Sequence, residues 1–115
     1  MPNKLKIGVE EYIDAAHSAT IKGQPYPLHG HTYKVEAWVE GPVVDGIVFD
    51  FCDLRDILKK VLEKYNKKNL NDLLENSTGE NFALSLHRDL KEKIPNLKIG
   101  VKLWQGHNKW AECSD

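Results

Sequence analysis

The sequence predicts an α+β domain, an antiparallel sheet with helices packed on one face. Three observations carry this. Residues 31–40 and 97–103 alternate apolar and polar side chains with the period of a strand. Residues 54–65 and 83–94 space their apolar side chains as a helix does. The resulting order is strand, strand, short strand, helix, helix, strand, strand, so the helices are grouped rather than alternating with strands as a parallel sheet requires.

Leu5, Ile7 and Val9 open the first strand, over residues 5–17. Glu10-Glu11 interrupts its alternation and Tyr12 and Ile13 restart it, which predicts a bulge. Residues 18–28 hold Gly23, Pro25 and Pro27 and read as a loop. The clearest strand follows: His31, Tyr33, Val35, Ala37 and Val39 share one face, and Thr32, Lys34, Glu36, Trp38 and Glu40 the other. A turn at 42–46 leads to a short strand, Ile47 to Phe49.

Leu54, Ile57, Leu58, Val61, Leu62 and Tyr65 define the first helix, with Asp53 as its N-cap. Residues 66–76 are a polar connection. Ser77 and Glu80 stand at capping-box spacing and start the second helix, whose stripe is Ala83, Leu86, Leu90 and Ile94. Pro95-Asn96 ends it. Leu97, Ile99, Val101 and Leu103 form the next strand, 105–108 a turn, and 109–113 the last strand.

At 115 residues the chain is one domain, residues 1–115. With 41% hydrophobic and 29% charged residues it is neither disordered nor fibrous. No apolar run approaches the roughly 20 residues of a membrane span. Sixteen basic against 17 acidic residues leave no basic excess for nucleic acid. Residues 1–12 hold no apolar signal core, and Cys52 and Cys113 are too few for a disulfide framework, so a cytoplasmic protein is expected.

The chemistry centres on histidine. His29 and His31 are two apart on a strand and point the same way. His17 ends the first strand. If the two strands pair, three imidazoles converge without an obvious fourth protein ligand, as in a catalytic zinc site with an open position. His-x-His pairs are also common without a metal. Gly23, His29, His31 and Glu36 fit half of a cupin metal motif too, but Glu36 faces away from His31 and two helices do not suit a jelly roll. His87 reads as a packing or surface residue on the second helix. His107, in a Gln-Gly-His-Asn turn, is either a surface residue or part of a pocket.

Several motifs together resemble the 6-pyruvoyltetrahydropterin synthase family, which includes 6-carboxytetrahydropterin synthase. They are Asp14-Ala15-Ala16-His17, His29-Gly30-His31-Thr32-Tyr33, Val48-Phe49-Asp50-Phe51 with Leu54, Leu70-Asn71-Asp72, and Ser77-Thr78-Gly79-Glu80-Asn81. They lie in the family's order across nearly the whole chain. The resemblance implies a tunnelling fold: a four-stranded antiparallel sheet with two helices on one face. It also implies a homohexamer, a dimer of trimers, with active sites between subunits. It implies zinc on His17, His29 and His31, binding the side-chain oxygens of a reduced pterin.

The family holds the pterin ring through a Thr-x-Glu segment, here Thr78 and Glu80, and a second glutamate, here replaced by Gln105. Glu80 also has the capping-box explanation, so anchor and cap both stand. The family's cysteine base is missing from residues 22–28, and its Asp-His pair aligns with Asn66-Lys67. Candidate proton-transfer groups are then zinc hydroxide, Lys67 and His107. Lys22, Lys67 and Lys68 are candidates for a triphosphate tail or plain surface lysines. The implied activity is a zinc-dependent lyase acting on 7,8-dihydroneopterin triphosphate or a related pterin. The alternatives are a non-catalytic zinc protein that binds a pterin or purine, and a zinc protein whose assembly is its function.

Overall fold

A computed structural model describes residues 4–115. In chain order it contains β1 (Lys4–His17), β2 (Thr20–Ile21), β3 (Gln24–Pro25), β4 (His29–Pro42), α1 (Phe51–Leu62) and β5 (Lys68–Asn69). A single 3₁₀ turn (Leu70–Asp72), α2 (Gly79–Lys93), β6 (Lys98–Gln105) and β7 (Lys109–Ser114) complete it. The sheet order is β5-β1-β4-β6-β7, and α1 packs on β1 while α2 packs on β6 and β7. This is the expected α+β arrangement, with one correction: the sheet has five strands rather than four. The addition is β5, two residues long and parallel to β1.

β1 and β4 pair antiparallel along their whole length, from Lys4 opposite Pro42 to His17 opposite His29. The expected bulge at Glu10-Glu11 is absent. Glu11 stays in register on the helix-facing side, where Lys59 of α1 meets it at 3.6 Å, and Tyr12 points to solvent. An ion pair at the sheet margin satisfies the out-of-pattern carboxylate, so the strand has no need to re-aim it. The expected short strand at 47–49 is also absent. Val44 and Ile47 make one bridge around Asp45 and Gly46, whose φ values of 53° and 84° are those of a tight primed turn. Among the described residues no strand pairs with 47–49 beyond that bridge.

Both helix starts differ from expectation. Asp50, not Asp53, caps α1: its Oδ1 accepts from the backbone N–H of Cys52 at 2.7 Å and of Asp53 at 3.1 Å. Thr78, not Ser77, caps α2 by accepting from Asn81 N–H at 3.2 Å. The third helical position is therefore Asn81, and Glu80 is not a capping-box residue. The local pattern of polar residues permitted either start, and the observed side-chain bonds to the first-turn N–H groups identify Asp50 and Thr78.

The core lies between the sheet and the helices. Val35, Val39, Leu58, Tyr65, Leu70, Phe82 and Leu86 are completely buried there. The opposite sheet face carries the polar residues of the alternation. Lys6 lies over the Trp38 ring, Trp104 donates to Glu36, and Lys102 lies over both Trp104 and Trp110. Gly100 is required here, because Trp38 occupies the space a β-carbon would take.

A three-histidine centre between two cavities

The β1–β4 register puts His17 directly opposite His29 and Ala15 opposite His31. The three imidazole centroids lie 4.6–5.0 Å apart. One ligand atom from each ring falls within 4.8 Å of the others, and among the described residues no cysteine or carboxylate joins the group. The spacing rule for a strand and the antiparallel ladder together produce this convergence.

Hydrogen bonds set which nitrogen each ring presents. His17 Nδ1 donates to Ser77 O at 2.6 Å and His29 Nδ1 to Pro27 O at 2.7 Å. Both carbonyls accept only, so in the neutral rings the protons sit on Nδ1 and the Nε2 lone pairs are free. Those two Nε2 atoms lie 3.2 Å apart. Two bare acceptors at that distance repel unless a cation sits between them. A tetrahedral ion with bonds of about 2.0–2.1 Å holds its nitrogens about 3.3 Å apart, so this pair is spaced as two ligands of one metal are. His31 Nε2 is buried without a hydrogen-bond partner. Burial, then the charges of His17, His29 and Lys109, lower the His31 pKa and favour the neutral, ligating form.

The rings rest on an aromatic column. Tyr33, fully buried, meets His17 and His31 edge-on at 6.3 and 5.6 Å, and Phe82 packs behind Tyr33 at 5.2 Å. Burial pushes the Tyr33 phenol up to about 12.

Three asparagines, five residues apart, fasten this end of the sheet. Asn66 Oδ1 accepts from Asp14 N–H at 3.1 Å, and Lys67 N–H donates to Asp14 O at 2.6 Å. Asn71 accepts from Ser18 N–H at 2.8 Å and donates to Ser18 O at 2.9 Å. Asn76 does the same for Thr20 at 3.0 and 2.9 Å. Each side-chain amide thus stands in for a neighbouring strand. Asn71 also accepts from the Ser77 hydroxyl at 2.7 Å, which ties the segment whose carbonyl orients His17. Sequence reasoning placed Asn66 at the family's Asp-His position and Asn71 within a motif but gave none of the three this structural role; their regular spacing was the available signal.

Two cavities flank the centre. One, of about 520 Å³, is lined by His17, Thr78, Glu80, Gln105 and Lys109 among others. The other, of about 570 Å³, is lined by Asp14, Gly30, His31, Lys67 and Lys68 among others. The expected ring anchors Thr78, Glu80 and Gln105 therefore share a cavity with His17. Gln105 Oε1 reaches the start of α2, 3.8 Å from the position a Gly79 β-carbon would take. Lys67 shares the second cavity with His31, held in a left-handed conformation (φ 59°) by its bond to Asp14. His107 lies at the exposed tip of the β6–β7 turn and lines neither cavity. Lys22 is likewise exposed, at the β2–β3 turn. Cys52 is exposed on α1 and Cys113 touches Ala83 O, so neither approaches the histidines. His87 is half-buried against Asp115 at 2.9 Å.

Residues 6–115 match the family described as 6-pyruvoyl tetrahydropterin synthase. The chain belongs to this family. A relative from Archaeoglobus fulgidus, provisionally named a 6-carboxy-5,6,7,8-tetrahydropterin synthase, is 35% identical over 97% of both chains. The dihydroneopterin monophosphate aldolase of Pyrococcus furiosus is 34% identical over 95% of this chain and 96% of its own. The 6-pyruvoyl tetrahydropterin synthase of Plasmodium falciparum superposes with a TM-score of 0.85 over 99% of both chains at 20% identity, which shows the tunnelling fold. No helix among the described residues is long and apolar enough to cross a membrane.

Proposed function

We propose that the chain is a metal-dependent lyase acting on the side chain of a reduced pterin, 7,8-dihydroneopterin triphosphate or a close relative. The observation that carries this reading is that His17 belongs both to the three-histidine centre and to the wall of the cavity holding Thr78, Glu80 and Gln105. A ligand whose ring lies between Glu80 and Gln105 then brings its side chain to the metal without crossing solvent. Zinc is the metal the three neutral imidazoles suit best, and when bound it would polarise the side-chain oxygens.

The residues divide the remaining work. Glu80 accepts from the ring N–H groups with charge, and Gln105 accepts and donates without it. Thr78 holds the helix start that carries Glu80. Proton transfer falls to Lys67 or His107. Lys67 is the stronger candidate, because it shares a cavity with His31 while His107 faces solvent. The exposed apolar side chains of Ile21, Tyr26 and Leu28, on the arm between His17 and His29, suit burial by another subunit. A homohexamer with sites between subunits and a cytoplasmic location complete the reading.

A second reading has its own support. Residues 22–28 lack cysteine, Asn66 is occupied with Asp14, and Gln105 is uncharged, so a pterin- or purine-binding metal protein without turnover fits the same cavity. One experiment separates the two. Zinc-loaded protein is incubated with 7,8-dihydroneopterin triphosphate, and with its monophosphate, and the pterin products are resolved by chromatography. Product formation above a His29→Ala control supports the lyase. Binding without product supports the second reading, and absence of binding removes both.

A further inference from the structure

Lys109 opens β7 and pairs in the ladder with Gln105, the last residue of β6. The pair continues the row that Leu103 and Ala111 form on the helix-facing side of the sheet, so Lys109 lines the cavity with His17, Thr78 and Glu80. Glu112 also borders that cavity, but it follows Ala111 in the strand and belongs to the opposite face, opposite Lys102. The Lys109 ammonium donates to Asn108 Oδ1 at 3.2 Å, and no carboxylate among the described residues forms an ion pair with it. The cation therefore lines the cavity it shares with His17 and Gln105, free of any ion pair.

We propose that Lys109 is a specificity-determining residue that binds the phosphomonoester of a phosphorylated reduced pterin. This rests on the pterin reading above and names the form of the substrate. Gln105 brings no charge to its end of the cavity, and Lys109, its ladder partner, brings a positive one. A neutral amide beside a cation that has no ion-pair partner favours a ligand that brings its own negative charge. A compact ammonium on a flexible stem is suited to a phosphate as a point charge. The Pyrococcus furiosus relative is named for a monophosphate substrate, which accords with this.

The test is calorimetric titration of zinc-loaded protein with 7,8-dihydroneopterin and with its monophosphate and triphosphate. The wild type is expected to bind the monophosphate more tightly than the unphosphorylated pterin, with a gap that narrows in high salt. Lys109→Met should weaken the monophosphate about 10–100-fold and leave the unphosphorylated pterin within about twofold, while Lys109→Arg keeps most of the preference. Equal weakening of both ligands, or of neither, overturns the assignment of Lys109 alone. Preference for the triphosphate that survives Lys109→Met also overturns it and moves the anion site to Lys67 and Lys68. A wild type that binds none of the three overturns the pterin reading and this inference together.

Discussion

Removing the Asn71 side chain should loosen the metal centre from outside it. Asn71→Ala deletes three hydrogen bonds: those from Ser18 N–H and the Ser77 hydroxyl, at 2.8 and 2.7 Å, and that to Ser18 O at 2.9 Å. Each contributes about 0.5–1.5 kcal/mol net, nearer the lower end at an exposed residue, so the apo protein should lose about 1.5–3 kcal/mol. The larger consequence is at His17. Its Nδ1–H is oriented by Ser77 O, and the partner behind a ligating histidine typically matters about 10–100-fold in metal affinity. Zinc competition against a chromophoric chelator measures that loss, and thermal melts with and without zinc measure the stability term. The gap between the two melting temperatures should narrow in the variant, because weaker binding adds less stability at the same zinc concentration. Asn71→Asp keeps the acceptor and loses only the donor, so it should fall between. A folded Asn71→Ala protein with undiminished zinc affinity would refute the argument that Asn71 acts through Ser77 on His17.

Thr78 and Glu80 should separate stability from binding. Thr78→Ala removes the α2 cap and should cost about 1 kcal/mol in urea unfolding, whereas Glu80→Gln should lose only the smaller first-turn charge effect, about 0.3–0.5 kcal/mol, and weaken pterin binding, since Glu80 caps nothing. Alkaline pH should unfold the protein through Tyr33 and Tyr65. Burial raises both phenols to about 12, helped at Tyr65 by its hydrogen bond to Asp89. The unfolded chain ionises near 10, so this stability is intact below pH 10 and is lost as pH rises through 12. The loss is about 2–3 kcal/mol for each tyrosine, measured as the urea midpoint from pH 8 to 12. Tyr33→Phe should flatten the profile; an unchanged profile would refute the Tyr33 contribution.

Much of this was legible along the chain because it depends on neighbours in sequence. The alternation from His31 to Val39 states which side of β4 meets the helices, and the structure keeps every one of those faces. The two-residue step from His29 to His31, with His17 at a strand end, already contained the metal group, given only that the strands pair. The failures are of another kind. Glu11 looked like a break in β1 until Lys59, nearly fifty residues away, proved to face it. Asp53 and Ser77 were chemically adequate caps, and the caps that form are Asp50 and Thr78, set by the path of the loops that lead into the helices. Lys67 and His107 were equal candidates in sequence and lie in quite different surroundings.

Side-chain period is a property of a short segment and survives whatever that segment packs against. It therefore disclosed the fold class, the sheet faces and the three ligating rings. Distances between segments depend on how the whole core closes. Only that closure made strand substitutes of Asn66, Asn71 and Asn76, brought Gln105 to the start of α2, and left Lys109 lining the cavity without an ion pair.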